Sequence, residues 1–82
     1  MGWRFWERRP RKLPRRVKVY LVKEFGISPE QMMNLRCSQQ KGKFAGRKVV
    51  YLEIFDLNRP DQVCFDGYRE DGYVYLHPKK RV

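Results

Sequence analysis

Hydrophobic positions along this chain fall into three regimes: no period before residue 15, a helical period to about residue 35, and alternation after that. In Arg15–Phe25, the residues Val17, Tyr20, Leu21 and Phe25 recur at i, i+3, i+4 and i+8, the stripe of an amphipathic helix. Val17, Val19 and Leu21 also alternate, as a strand would require. Three neighbours favour the helix: Pro14 sits near a helix start, Lys23-Glu24 prolong the segment with helix formers, and Gly26 can close the last turn in a left-handed conformation.

Ser28-Pro29-Glu30-Gln31 carries a stronger start signal. The Ser28 hydroxyl can cap free amides, proline fits the first helical position, and Gln31 completes a capping box. A short helix through Met32, Met33 and Leu35 follows. Two helices joined by Gly26-Ile27 raise the idea of a helix-turn-helix, but the second would present Gln31, Met32, Met33 and Asn34 to DNA, with little that is basic. Core packing accounts for it better.

From Leu35 the pattern is that of strands. Leu35–Gln40 and Arg47–Phe55 are joined by Lys41-Gly42-Lys43-Phe44-Ala45-Gly46, whose glycines permit a hairpin loop. Arg47–Phe55 is apolar on nearly both sides, which predicts a central strand covered by helix on one face, with Leu52 and Ile54 in the core. Asp56–Asp61 is a dense turn cluster. Gln62–Phe65 and Gly72–Leu76 read as further strands, separated by Asp66-Gly67 and Glu70-Asp71-Gly72, and His77-Pro78 ends the last. The expected fold is α+β: one or two short helices on a small antiparallel sheet of three or four strands, with an extended basic N-terminal arm.

Composition divides the 82 residues into an arm (1–14), a small domain (15–78) and a basic tip (79–82). A domain of that size is only marginally stable, by about 3–5 kcal/mol. The net charge of +10 is unevenly spread. Residues 1–16 carry seven basic groups and one acid (+6), 17–48 carry seven and two (+5), 49–76 carry two and six (−4), and Lys79, Lys80 and Arg81 add +3. Pro10 and Pro14 hold the arm extended. With so much charge and so little self-neutralisation, it gains more from a polyanion than from folding alone.

That balance points to nucleic acid, RNA before DNA. In the arm, Arg4, Arg8, Arg9, Arg11, Lys12, Arg15 and Arg16 are candidate phosphate ligands, while Trp3, Phe5 and Trp6 are anchoring or stacking groups. A second candidate is the 41–48 loop, where Lys41, Lys43, Arg47 and Lys48 surround Phe44. It lacks the Gly-Lys-Ser/Thr ending of a phosphate-binding P-loop. Tyr51, Tyr68, Tyr73, Tyr75, Phe55 and Phe65 make the sheet aromatic, a property that serves a core or a base-stacking face; core is the default, and nearby acids make the face unattractive to phosphate. Tyr73 and Tyr75 share one face, so they are covered or available together.

No catalytic constellation stands out. The carboxylates fall mainly in turns, and His77 has no nucleophile placed near it. Cys37, Cys64 and His77 lack close metal-ligand spacing, so neither a metal nor another cofactor is expected. The two cysteines read as reduced thiols, no apolar run approaches 18 residues, and Met1-Gly2 is followed by Trp6 where acylation wants Ser or Thr. The expectation is a cytoplasmic, non-enzymatic RNA-binding component of a larger ribonucleoprotein assembly. The alternative is a protein–protein adaptor whose Arg/Trp arm docks on an acidic partner, or less readily on an anionic membrane surface.

Overall fold

The computed structural model describes residues 11–79, which form two helices and a four-stranded antiparallel sheet. Helix α1 (Arg15–Phe25) follows its hydrophobic stripe: Val17 and Leu21 are fully buried, while Val19 and Val22, off that stripe, are half exposed. Pro14 is extended before it, and Gly26 ends it in the left-handed region at φ 65°, donating to Val22 O at 3.0 Å. Helix α2 (Pro29–Met33) has the capping box: Gln31 N donates to Ser28 Oγ at 3.2 Å, and Ser28 N donates to Gln31 Oε1 at 3.0 Å.

The strands form a meander, β1 (Leu35–Phe44), β2 (Arg47–Asp56), β3 (Arg59–Glu70) and β4 (Tyr73–Pro78), in the spatial order β1-β2-β3-β4. Strand β2 lies inside the sheet, as its two-sided apolar pattern requires. Two hairpins are tighter than expected. Ala45-Gly46 alone turns β1 into β2, and Asp71-Gly72 alone turns β3 into β4, all four residues at positive φ. Two successive positive φ values give the turn whose twist matches paired strands. The expected 41–46 loop is therefore mostly strand.

Strand β3 corrects the sequence reading most. Asp66-Gly67 is not a turn but lies in the middle of a 12-residue strand. Gly67 is needed there for close approach, since a Cβ would collide with the Tyr75 carbonyl and lie 2.9 Å from Leu76 Cα. The Asp56–Asp61 cluster likewise contracts to Leu57-Asn58, with Asn58 N donating to Asp56 Oδ1 at 2.7 Å. Register shifts around Phe55 absorb the residues before Val63.

The register sorts every strand residue to a face. Leu35, Cys37, Val50, Leu52, Ile54, Phe65, Val74 and Leu76 face the helices. They close the core with Leu13, Val17 and Leu21, and Tyr20 OH donates to Leu76 O at 3.0 Å. Leu52 and Ile54 are buried as expected, at 1% and 0% exposure. Ser38, Phe44, Arg47, Tyr51, Glu53, Asp66, Tyr68, Tyr73, Tyr75 and His77 take the opposite, open face.

Of the expected arm 1–14, only residues 11–14 fall within the described part, and they belong to the fold. Arg11 and Cys37 exchange two 3.0 Å backbone hydrogen bonds at the outer edge of β1, and Leu13 is buried in the core. Residues 11–14 are thus tied to the sheet edge and the core of the described fold. Among the described residues, no helix is long and apolar enough to cross a membrane.

Candidate nucleic-acid interface

Strand alternation divides the basic 41–48 segment between the two faces of the sheet. Lys41 pairs with Val50 and Lys43 with Lys48, so all three lysines point to the helix side, beyond the part that the helices cover. There they line a cleft of about 550 Å³ with Val50 and, from β3, Arg69. Among the described residues, none of the three lysines has a carboxylate within ion-pair distance. Arg69 donates from Nη2 to Gln39 Oε1 at 3.5 Å, and its Nε is buried with no hydrogen-bond partner among the described residues. Four cations from three adjacent strands gather on one concave surface, and clustered like charge in a cleft focuses the field.

The rim is mixed. Glu70 and Asp71 also line the cleft, but Glu70 is turned to Arg47 across a 3.4 Å ion pair. Next to Asp71, Gly72 O accepts from Arg16 Nη1 at 3.3 Å, which brings the first turn of α1 to the same end of the sheet. Arg15 precedes it and is exposed, as are Arg11 and Lys12.

On the open face the aromatics form a connected layer. Phe44 stacks on Tyr68 (centroids 5.1 Å apart, planes at 28°), and Tyr68 meets Tyr75 at 5.9 Å and Tyr73 at 6.4 Å. Phe44, Tyr73 and Tyr75 are 45%, 58% and 42% exposed. The default assignment of these tyrosines to the core is therefore a correction to make: Tyr73 and Tyr75 are available together, while Phe55 is fully buried and Phe65 packs against the helix-side core. Tyr51 lies over Gly42, where a Cβ would come within 2.5 Å of its ring, and its hydroxyl donates to the Lys43 carbonyl.

Of the expected ligands, Trp3, Arg4, Phe5, Trp6, Arg8 and Arg9 lie outside the described residues. The structure brings Lys41, Lys43 and Lys48 together, and separates Phe44 and Arg47 from them onto the other face. Sequence reasoning missed Arg69. Reading Asp66-Gly67 and Glu70-Asp71-Gly72 as turns left Arg69 between them, with no face assigned. A single strand over 62–70 would have placed Arg69 in register with Val50, beside Lys48.

Cys37, Cys64 and His77 do not converge. Cys37 is buried, burial pushes its thiol above the ordinary value of 9.0, and His77 Nε2 lies 3.0 Å from Asp66 Oδ1. Among the described residues, no group of three His, Cys, Asp or Glu side chains is arranged to hold a metal ion. The chain matches no known family model, no curated protein and no solved structure.

Proposed function

We propose that this protein is a non-enzymatic RNA-binding module that works in the cytoplasm as a small component of a ribonucleoprotein assembly. The observation that carries the reading is the cleft where Lys41, Lys43, Lys48 and Arg69 gather from three strands. An unpaired lysine on a strand is ordinary, but three facing one cleft with a partly buried arginine repel one another and gain most from phosphate. Arg15, Arg16 and the basic residues of 1–10 extend the positive surface beyond what the cleft alone supplies. Contacts of this kind position an RNA backbone without reading its sequence. Phe44 is half exposed but on the other face of the sheet, so it stacks on a base only where the RNA wraps the end of the β1–β2 hairpin.

The test is the nucleic acid that accompanies the protein. The 260/280 nm absorbance ratio of the purified full chain should fall on ribonuclease treatment and stay unchanged with deoxyribonuclease, and added single-stranded RNA should then rebind. A preparation free of nucleic acid that binds neither RNA nor DNA at low salt contradicts the reading. In that case the exposed Phe44, Tyr73 and Tyr75 favour the adaptor, with protein as the partner.

A further inference from the structure

The open face of the sheet has a chemistry that phosphate does not suit. Glu53 and Asp66 stand directly opposite each other in the β2–β3 register, although like charges across a strand pair are unfavourable. Asp66 meets two side chains from β4 and beyond: His77 Nε2 lies at 3.0 Å and Lys79 Nζ at 3.4 Å. Beside the carboxylates, Phe44, Tyr51, Tyr68 and Tyr75 wall a concavity of about 450 Å³. Rings next to carboxylates suit a guanidinium, which stacks on the former and pairs as a fork with the latter.

The other end of this face is as buried as the core. Ser38 is 4% exposed and Phe55 0%, although both helices pack on the opposite side. Ser38 Oγ is buried with no hydrogen-bond partner among the described residues.

The chain itself carries the complementary chemistry. Residues 1–10 hold Arg4, Arg8 and Arg9 among Trp3, Phe5 and Trp6. They also join the domain at the right place. Arg11 pairs with Cys37 on the outer edge of β1, and the next position, Ser38, begins a cross-strand row that continues through Glu53, Asp66 and His77. From β1 to β3 is two strand spacings, about 10 Å. Ten extended residues span about 33 Å, ample for the crossing.

We propose that the open face is a docking surface for residues 1–10 of the same chain, with an arginine at the Glu53–Asp66 pair and indole rings against the Phe44–Tyr68–Tyr75 layer. The inference goes beyond RNA binding and does not depend on it. If RNA is the ligand, it competes with this face for the arm's arginines.

Both tryptophans of the chain lie in residues 1–10, so tryptophan emission of the full protein reports on that segment alone. The expected result, in nucleic-acid-free protein, is emission blue-shifted from that of a 1–10 peptide and quenched by acrylamide several-fold less. Asp66→Asn and Tyr75→Leu should each move emission and quenching toward the peptide's values while the protein stays folded, its melting temperature lowered by less than about 8 °C, since Tyr75 is 42% exposed and the core side chains are untouched. Emission and quenching equal to the peptide's in the unmodified protein overturn the proposal. A blue shift that both variants leave intact, or that vanishes on dilution because the arm docks on a second copy, overturns it as well. No RNA is present in this measurement, so its failure leaves the RNA reading standing.

Discussion

Leu52→Ala and Tyr75→Ala test the assignment of faces. Leu52 is 1% exposed on an inner strand, while Tyr75 is 42% exposed on the open face. Leu→Ala removes three carbons, about 2.4 kcal/mol at roughly 0.8 kcal/mol each. The cavity term raises the cost to about 3 kcal/mol, because a core between two layers relaxes only in part. Against a total of about 3–5 kcal/mol, that consumes most of the domain's stability. At about 4–8 °C per kcal/mol for a domain of this size, the melting temperature should fall by about 12–24 °C, or the protein should be unfolded already at 25 °C. Tyr75→Ala should cost about 1 kcal/mol or less, the part of its ring area that is buried. Circular dichroism during heating, with a urea titration for the free energy, measures both. Equal costs for the two changes, or a Leu52→Ala protein that melts within about 2 °C of the parent, would refute the face assignment.

Gly67→Ala should destabilise the protein by about 2 kcal/mol or more, because the added methyl meets the β4 backbone rather than a side chain that can swing away; urea unfolding checks it, and a neutral result would show that β3 and β4 are not paired at Leu76. Cys37 should react with a thiol reagent only at the rate of unfolding, while the half-buried Cys64 reacts first, which mass spectrometry of partly labelled protein reads directly. Because burial raises the Cys37 pKa, the native thiol keeps its proton where the unfolded chain loses it. Its contribution is therefore fully present below the ordinary value of 9.0 and is lost as pH rises above it, so the urea midpoint should fall less above pH 9.0 in Cys37→Ala than in the parent.

The sequence made the helices legible because their signals are local. A stripe at helical spacing with Gly26 behind it, and Ser28 with Gln31 around Pro29, specify start and stop without tertiary help. The buried side of β2 was legible from alternation, Leu52 and Ile54 among its residues. What stayed hidden was β3. Two Asp-Gly steps look alike along the chain, yet Asp71-Gly72 turns with both residues at positive φ, while Asp66-Gly67 runs straight because β4 passes too close for a side chain. That distinction is set by a neighbour distant in sequence. It carried the basic cleft with it, since Arg69 acquires a face only once β3 is continuous. The same alternation that makes 41–48 a hairpin also means that its five functional candidates cannot act as one patch.

The central claim, a phosphate-binding surface on the helix side of the β1–β2 hairpin, is tested most directly by the salt dependence of RNA affinity. Fluorescence anisotropy with one unstructured single-stranded RNA gives the slope of log affinity against log salt for the full chain and for Lys41→Gln/Lys43→Gln/Lys48→Gln. Losing three phosphate contacts should reduce the slope by about 2 units, at about 0.7 per contact, and weaken binding alike for RNAs of different sequence. The three ammonium groups are exposed on strands, so the fold should be unaffected. Deleting residues 1–10, which spares Leu13 and removes Arg4, Arg8 and Arg9, should reduce the slope by a similar, separate amount. A triple-glutamine protein that binds RNA with the parent's affinity and the parent's slope would contradict the account.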